Sequence, residues 1–261
     1  MGIPAESSVV GVVGDRTEPV RSAIEAAGGH HRLGDVTTVL AGDLDALVVV
    51  GQAHLLELAA LEPTPDVPIL PVNAGPGVAS VPLAAISPAI EALLAGEGRR
   101  HDRPVLAALE NGTERARALC DVMLVTAEPA RISEYAVRSG GDLVARFRAD
   151  GVVVSTPAGT HGYGRSVGAP VVARGTDVVS VVPVAPFATS ADHWVLPTGD
   201  VTLTIERDEV PVELLADDRR CDCVPPHTPL SIARVDSLTI RTVPQSQSSF
   251  ARSDRPNEST D

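Results

Sequence analysis

Lysine is absent from the 261 residues, so every strong cation is an arginine, and 21 of these face 34 carboxylates for a formal charge of −13. Without a basic stripe there is nothing to neutralise a phosphate backbone, which argues against a nucleic-acid partner. An acidic, lysine-free chain rich in Val, Ala and Asp suggests a GC-rich genome and a halophilic, high-salt cytoplasm. The plainer alternative is that the acidity only aids solubility; solubility at molar salt separates the two. Aromatics are scarce: Trp194, Tyr135, Tyr163, Phe147, Phe187 and Phe250 are all of them. The core must therefore be built from Val, Leu, Ile and Ala. The cysteines are Cys120, Cys221 and Cys223, an odd number in a chain with no secretory leader, which argues against a disulfide framework. Cys221-x-Cys223 is too closely spaced for a zinc knuckle and no second pair follows, so no metal site is expected even with His227 nearby. No apolar run is long and clean enough to span a bilayer, which excludes a membrane-spanning role. The opening MGIPAESSVV has neither a basic leader nor an apolar signal core, and a cytoplasmic protein is expected.

What is present falls into two styles. Val9–Val13, Asp45–Val50 and Val67–Val72 read as buried strands, and Glu18–Ala27, Ala53–Leu61 and Ile86–Ala95 as the helices between them. Strand alternating with helix implies a parallel sheet covered on both faces. After Arg99–Pro104 strands dominate: Ala116–Val125, Asp142–Arg148, Gly151–Ser155, Val178–Pro183, Val201–Arg207, Val210–Ala216, Leu230–Ala233 and Leu238–Val243. Short strands at regular spacing with Pro, Asp and Gly turns suggest a sandwich-like β domain. The expected organisation is an α/β domain over residues 1–100, a β-rich domain over 101–243, and a polar, aperiodic, disordered tail over 244–261.

One segment carries more chemistry than the rest: Asp150-Gly151-Val152-Val153-Val154-Ser155-Thr156-Pro157-Ala158-Gly159-Thr160-His161-Gly162-Tyr163, continuing through Ser166 to Gly168-Ala169-Pro170. A strand ends in a loop of hydroxyl and glycine residues and then enters a helix, which lets backbone N–H groups approach a polar ligand closely. By itself such a loop is most often only a turn. The whole string, however, resembles the signature of the NAD kinase family, in which Asp-Gly and a short apolar strand precede Ser-Thr-Pro-Thr-Gly-Ser-Thr-Ala-Tyr, followed by a Ser and Gly-Gly-Pro. Asp150, Gly151, Ser155, Thr156, Pro157, Gly159, Tyr163, Ser166, Gly168 and Pro170 match; Ala158, Thr160, His161, Gly162 and Ala169 depart.

Other parts are similar in the right order. Asn73-Ala74-Gly75 fits an Asn-x-Gly turn after an early strand. Cys120-Asp121 stands where the family has Asn-Glu or Asn-Asp, with the acid kept and the Asn lost. Val182-Pro183-Val184-Ala185-Pro186 is similar to a late proline-containing strand. The resemblance runs from about Val9 to Val243 and implies the NAD kinase fold: a Rossmann-like α/β domain binding nucleotide, a β-sandwich domain binding NAD, and a cleft between them. It implies NAD or NADP as ligand, ATP and Mg²⁺ if the protein is active, and a homo-oligomer. It places Asp121 on a ribose, Asp150 at the nicotinamide end, and Thr156, Thr160, Tyr163 and Ser166 along the dinucleotide, with Asn73 nearby. Each also has an ordinary reading: Asp121 as a solvated strand acid, Asp150 as a turn cap, Tyr163 as core.

The family's catalytic Gly-Gly-Asp-Gly-Thr loop is rewritten. Aligned without gaps, Val50-Gly51-Gln52-Ala53-His54-Leu55 stands on it and only Gly51 survives. Ala53 occupies the Asp position, and a methyl group neither takes a proton nor holds Mg²⁺. Losing general-base help costs about 10²–10⁴-fold in rate. Either His54, whose ordinary pKa is near neutral, replaces the Asp in a slow NAD kinase, or the protein is a degenerate, regulatory paralogue that binds NAD(P) without phosphoryl transfer; His54 taken alone reads as a solvated residue at a helix start. A dehydrogenase is disfavoured because Gly11-Val12-Val13-Gly14 lacks the G-x-G-x-x-G spacing. A serine hydrolase is disfavoured because no G-x-S-x-G elbow surrounds Ser155 or Ser166. Lipid kinases of distant fold kinship keep the Gly-Gly-Asp-Gly-Thr type of loop, which this chain lacks.

Overall fold

A computed structural model describes residues 8–128, 130–188, 191–248 and 250. The chain opens with β1 (Val9–Gly14), α1 (Glu18–Ala26), β2 (His30–Leu33), α2 (Val36–Leu40), β3 (Ala46–Val50), α3 (Gln52–Ala59), β4 (Ile69–Val72) and α4 (Ile86–Leu94). The helices follow from local chemistry. In α1, Pro19 sits in the first turn with Glu18 beside it, Val20, Ala23 and Ile24 form the buried stripe, and Gly28 at φ +77° lets the chain turn away. β3 is ALVVV and buried along its whole length, as a strand covered on both faces must be. β1 pairs in parallel with both β2 and β3, and β3 with β4. α1 and α4 cover one face, and α2 and α3 the other.

The sheet then continues into an antiparallel half: β5 (Arg99–Glu110), β6 (Thr113–Ala118), β7 (Asp121–Thr126), β8 (Ser133–Ser139), β9 (Asp142–Ser155), the short helix α5 (Tyr163–Ser166), β10 (Val178–Pro186), β11 (Trp194–Pro197), β12 (Val201–Arg207), β13 (Val212–Ala216), β14 (Arg219–Val224) and β15 (Leu230–Thr242). β15 joins the halves. It pairs with β5 along nearly its whole length and touches β4 in parallel at Ile240↔Ile69. The β-rich half wraps a core of Leu, Val, Ile and Ala that holds Tyr135, the largest fully buried side chain; Phe147 and Trp194 stack at its margin with ring centroids 5.8 Å apart. A second core links both halves, bringing Leu55 and Val78 together with Val105, Leu119, Ala158 and Leu238.

The fold class is the one expected: an α/β part running into a β-rich part. Details differ. Ala116–Val125 is not one strand, because the chain breaks at Leu119-Cys120, where Asp217 draws off the backbone N–H groups. Leu230–Ala233 and Leu238–Val243 belong to one strand carrying a bulge near Arg234–Asp236. β2 and α2 lack apolar periodicity and escape sequence reading; α2 is started by Asp35, whose carboxylate accepts the Thr38 N–H at 2.7 Å. Beyond Val243 the chain stays attached: the Gln247 N–H donates to the Ser80 carbonyl at 3.0 Å. Except for Phe250, the expected disordered tail from residue 249 onward lies outside the described residues. Among the described residues no helix is long and apolar enough to cross a membrane.

Candidate functional site

The parallel strand order β2-β1-β3-β4 reverses between β1 and β3, and ligands of open α/β sheets bind in the crevice beyond the strand ends at such a point. Here β3 ends in Gly51 at φ +96°, a conformation that suits glycine, and α3 begins at once. His54, in the first turn of α3, has Nδ1 3.5 Å from Glu57 Oε2 and Nε2 3.9 Å from Asp15 Oδ1, so it sits between two carboxylates at the mouth of the crevice. Ala53 is exposed beside it.

The turn after β4 forms the second wall. Asn73 adopts φ +50°, and its Oδ1 accepts the Leu83 N–H at 2.9 Å, so its side chain shapes the turn. A Cβ on Gly77 would lie 2.1 Å from the Ala158 carbonyl, which shows how closely this turn meets the signature loop.

The signature loop is the third wall, and it is held from below. Thr156 is fully buried; its hydroxyl donates to the Leu119 carbonyl at 2.6 Å and accepts the Ala158 and Gly159 N–H groups at 3.1 and 3.2 Å. The Thr160 hydroxyl, also buried, donates to the Pro157 carbonyl at 3.0 Å. Both threonines therefore build the loop, and their hydroxyls are turned inward. Tyr163 and Ser166 lie on α5 and are exposed.

Beneath the loop lies Asp121. A Cβ on Gly159 would come within 2.4 Å of Asp121 Oδ1 and 2.3 Å of the Cys120 carbonyl, so only glycine fits over this acid. Burial pushes the Asp121 carboxyl up to about 7; the Ser155 hydroxyl opposes the shift and Asp217 adds to it. Ser155 lies close enough to act on the carboxylate but outside ordinary hydrogen-bond geometry to Oδ1, which is buried without a partner. Asp217, at φ +55° in the β13–β14 turn, holds this floor in place: Oδ2 accepts the Leu119 N–H at 2.9 Å, and Oδ1 accepts those of Cys120 and Asp121 at 2.7 and 3.1 Å.

The three walls enclose a cavity of about 60 Å³ lined by Gln52, Leu55, Gly75, Cys120, Ala158 and His161, among others. None of Asn73, Thr156, Thr160, Asp121 or His54 lines this cavity; its lining residues Ala74 and Cys120 are chain neighbours of Asn73 and of Asp121, and Ala158 lies within the Thr156–Thr160 loop. Asp150 lies farther off. Expected just before a strand, it lies inside the long β9, and the five residue steps from it to Ser155 span about 17 Å of extended chain. Sequence reading missed Gln52 and Asp217. Gln52 points its amide at the Cys120 thiol at 4.0 Å, a weak contact no motif announces. Asp217 could have been suspected from Asp217-Asp218 between two short strands, a turn signal that says nothing of its distant partners. The buried Cys120 thiol has its pKa pushed well up by burial and by Asp217.

A parallel α/β sheet that runs through β15 into an antiparallel β-rich half, with a glycine-rich loop over a buried acid, defines an α/β-plus-β class of protein. Residues 119–228 match the ATP-NAD kinase C-terminal domain. The chain is 30% identical to the NAD kinase of Pyrococcus furiosus over 210 residues, covering 77% of this chain and 73% of that protein. It is 31% identical to the NAD kinase of Methanothermobacter thermautotrophicus over 162 residues, 61% of this chain and 57% of that one, and 32% identical to that of Citrifermentans bemidjiense over 184 residues, 68% and 64%. The chain thus spans less than two thirds of the length of these last two relatives. The fold is shared with an Archaeoglobus fulgidus NAD kinase solved in complex with ATP (TM-score 0.71, 20% identity, 91% of this chain and 94% of that). It is shared equally with yeast NADH kinase complexed with NADH (TM-score 0.71, 15% identity, 91% and 84%). The chain belongs to the NAD kinase family.

Proposed function

We propose that this protein binds NAD or NADP under the signature loop and transfers phosphate weakly or not at all. The observation that carries the binding half is Asp121: a buried carboxylate with an unpartnered oxygen, beneath a loop in which glycine alone fits. A buried acid left unpaired costs free energy, and hydroxyls of a ribose donating to it would remove that cost.

The catalytic half rests on the β3–α3 loop. Ala53 supplies no ligand and no base, and no group of three or more metal-ligating side chains occurs among the described residues. With a methyl group at position 53, no step is assigned to Mg²⁺. A second reading is favoured by His54, held between Asp15 and Glu57. In it His54 accepts the proton of the attacking dinucleotide hydroxyl as phosphate transfers from ATP, and the protein is a slow NAD kinase. A homo-oligomer rests on family membership alone. Calorimetric titration with NAD and NADP tests the binding half. Binding to the wild type, weakened at least tenfold by Asp121→Asn, is expected; no heat from either dinucleotide overturns it.

A further inference from the structure

At the end of the parallel sheet away from Gly51, a second cavity of about 220 Å³ opens between the starts of β1, β3 and β4 and the last turn of α4. Val10, Ala46, Leu93 and Leu94, all buried, and Pro68 give it an apolar wall. The charged side chains that line it are Asp45, Arg100 and Arg241.

Two of these three are already engaged. Asp45 Oδ2 accepts the Val9 N–H at 2.8 Å, which fixes the acid at the entry to β3. Arg241 is pinned on the end of α4: its Nε and Nη2 donate to the Glu97 carbonyl at 2.9 and 2.7 Å, and Nη2 also reaches the Gly96 carbonyl. It thereby satisfies carbonyls that the end of a helix leaves open. Arg100 is different. The pairing of β5 with β15 sets it directly opposite Arg241, so both side chains leave the same face of the ribbon and both line the cavity. Arg100 makes no side-chain hydrogen bond and no ion pair among the described residues. Like charges directly opposite each other destabilise a sheet, and burial together with Arg100 lowers the pKa of Arg241. In a chain of net charge −13, two cations thus face one cavity with no carboxylate bridging them.

We propose that this cavity binds a small aliphatic carboxylate, its charge held between Arg100 and Arg241 and its chain laid on Val10, Ala46, Leu93 and Leu94. Guanidinium forks bind both oxygens of a carboxylate, and an alkyl body gains by leaving water for the apolar wall. The volume of about 220 Å³ falls below the roughly 300–1,000 Å³ of sites for drug-sized ligands, which suits a body of a few carbons and excludes a nucleotide. A simple branched acid and an aliphatic amino acid share this chemistry; the amino acid adds an ammonium group for Asp45. The cavity shares no lining residue with the one beside the signature loop, so this claim and NAD binding fail separately.

The test is thermal unfolding of the full chain at fixed ionic strength, with 4-methylpentanoate, L-leucine or the uncharged 4-methylpentan-1-ol titrated in. Either carboxylate is expected to raise Tm by roughly 3–5 °C at about ten times its dissociation constant, and the alcohol to give no comparable gain. Arg100→Gln, a change on an exposed side chain, is expected to lose most of the gain while keeping its response to NAD. A larger gain with leucine that falls to that of 4-methylpentanoate in Asp45→Asn supports the site and identifies the amino acid as its ligand; equal gains in wild type support it with the simple acid. No shift with either carboxylate, an equal shift with the alcohol, or an undiminished gain in Arg100→Gln overturns the proposal.

Discussion

Asp121 and Asp217 are joined by two hydrogen bonds: the Asp217 N–H donates to the Asp121 carbonyl at 2.8 Å, and the Asp217 side-chain Oδ1 accepts the Asp121 N–H at 3.1 Å. The buried Asp121, at the start of β7, is thus fixed beside the partly buried Asp217 of the β13–β14 turn. Asp217 organises the floor of the cleft, and Asp121 faces the loop above it. Replacing Asp217 by Ala leaves the N–H groups of Leu119, Cys120 and Asp121 without their acceptor. Unsatisfied buried donors cost about 1–3 kcal/mol each and do not add fully. A loss of roughly 3–5 kcal/mol in denaturant unfolding is expected on that basis, with a smaller loss for Asp217→Asn.

The raised pKa of Asp121 makes stability pH-dependent with a definite sign. The folded protein keeps this proton to about pH 7, whereas the ordinary carboxyl value is 3.8. Over that window the folded state binds more protons than the unfolded chain. The contribution is therefore fully present below pH 3.8 and is lost as pH rises toward 7. Asp217, also raised by burial, acts in the same direction. Thermal unfolding from pH 5 to 8 is expected to show wild type losing stability relative to Asp121→Asn. A constant difference between the two across that range contradicts the assignment.

NAD binding carries the opposite sign. Ribose hydroxyls donating to Asp121 favour its ionised form, so affinity is expected to rise as pH passes through 7, with proton release measured by calorimetry in buffers of different ionisation enthalpy. Asp121→Asn is expected to remove both effects.

Thr156 tests the loop itself. Thr156→Val keeps the shape but removes the bond to the Leu119 carbonyl and the acceptor for the Ala158 and Gly159 N–H groups. About 2 kcal/mol of stability and at least a tenfold weakening of NAD binding are expected; Thr156→Ser should stay near wild type. Gly159→Ala should act more severely on binding, because its Cβ meets backbone and carboxylate that cannot withdraw.

Much of this was legible in the residues. β1, β3 and β4 were announced by short β-branched runs, and the signature string identified the loop because its glycines and hydroxyls are local necessities. What was not legible is long-range. Nothing in the neighbourhood of Asp217 says that its carboxylate reaches across to residues 119–121, and nothing near Thr156 says that its hydroxyl points inward to Leu119. Both threonines were expected to face a ligand, and the structure turns both hydroxyls into the loop.

The central claim is that the cleft binds a dinucleotide while the β3–α3 loop fails to drive transfer. The most direct measurement is NADP formation from NAD, ATP and Mg²⁺ at low and molar salt, on protein shown in the same preparation to bind NAD. The account predicts binding with no product above a protein-free control, and no gain or loss on His54→Ala. Steady NADP production that His54→Ala abolishes contradicts it, and makes this chain a working kinase with a relocated base.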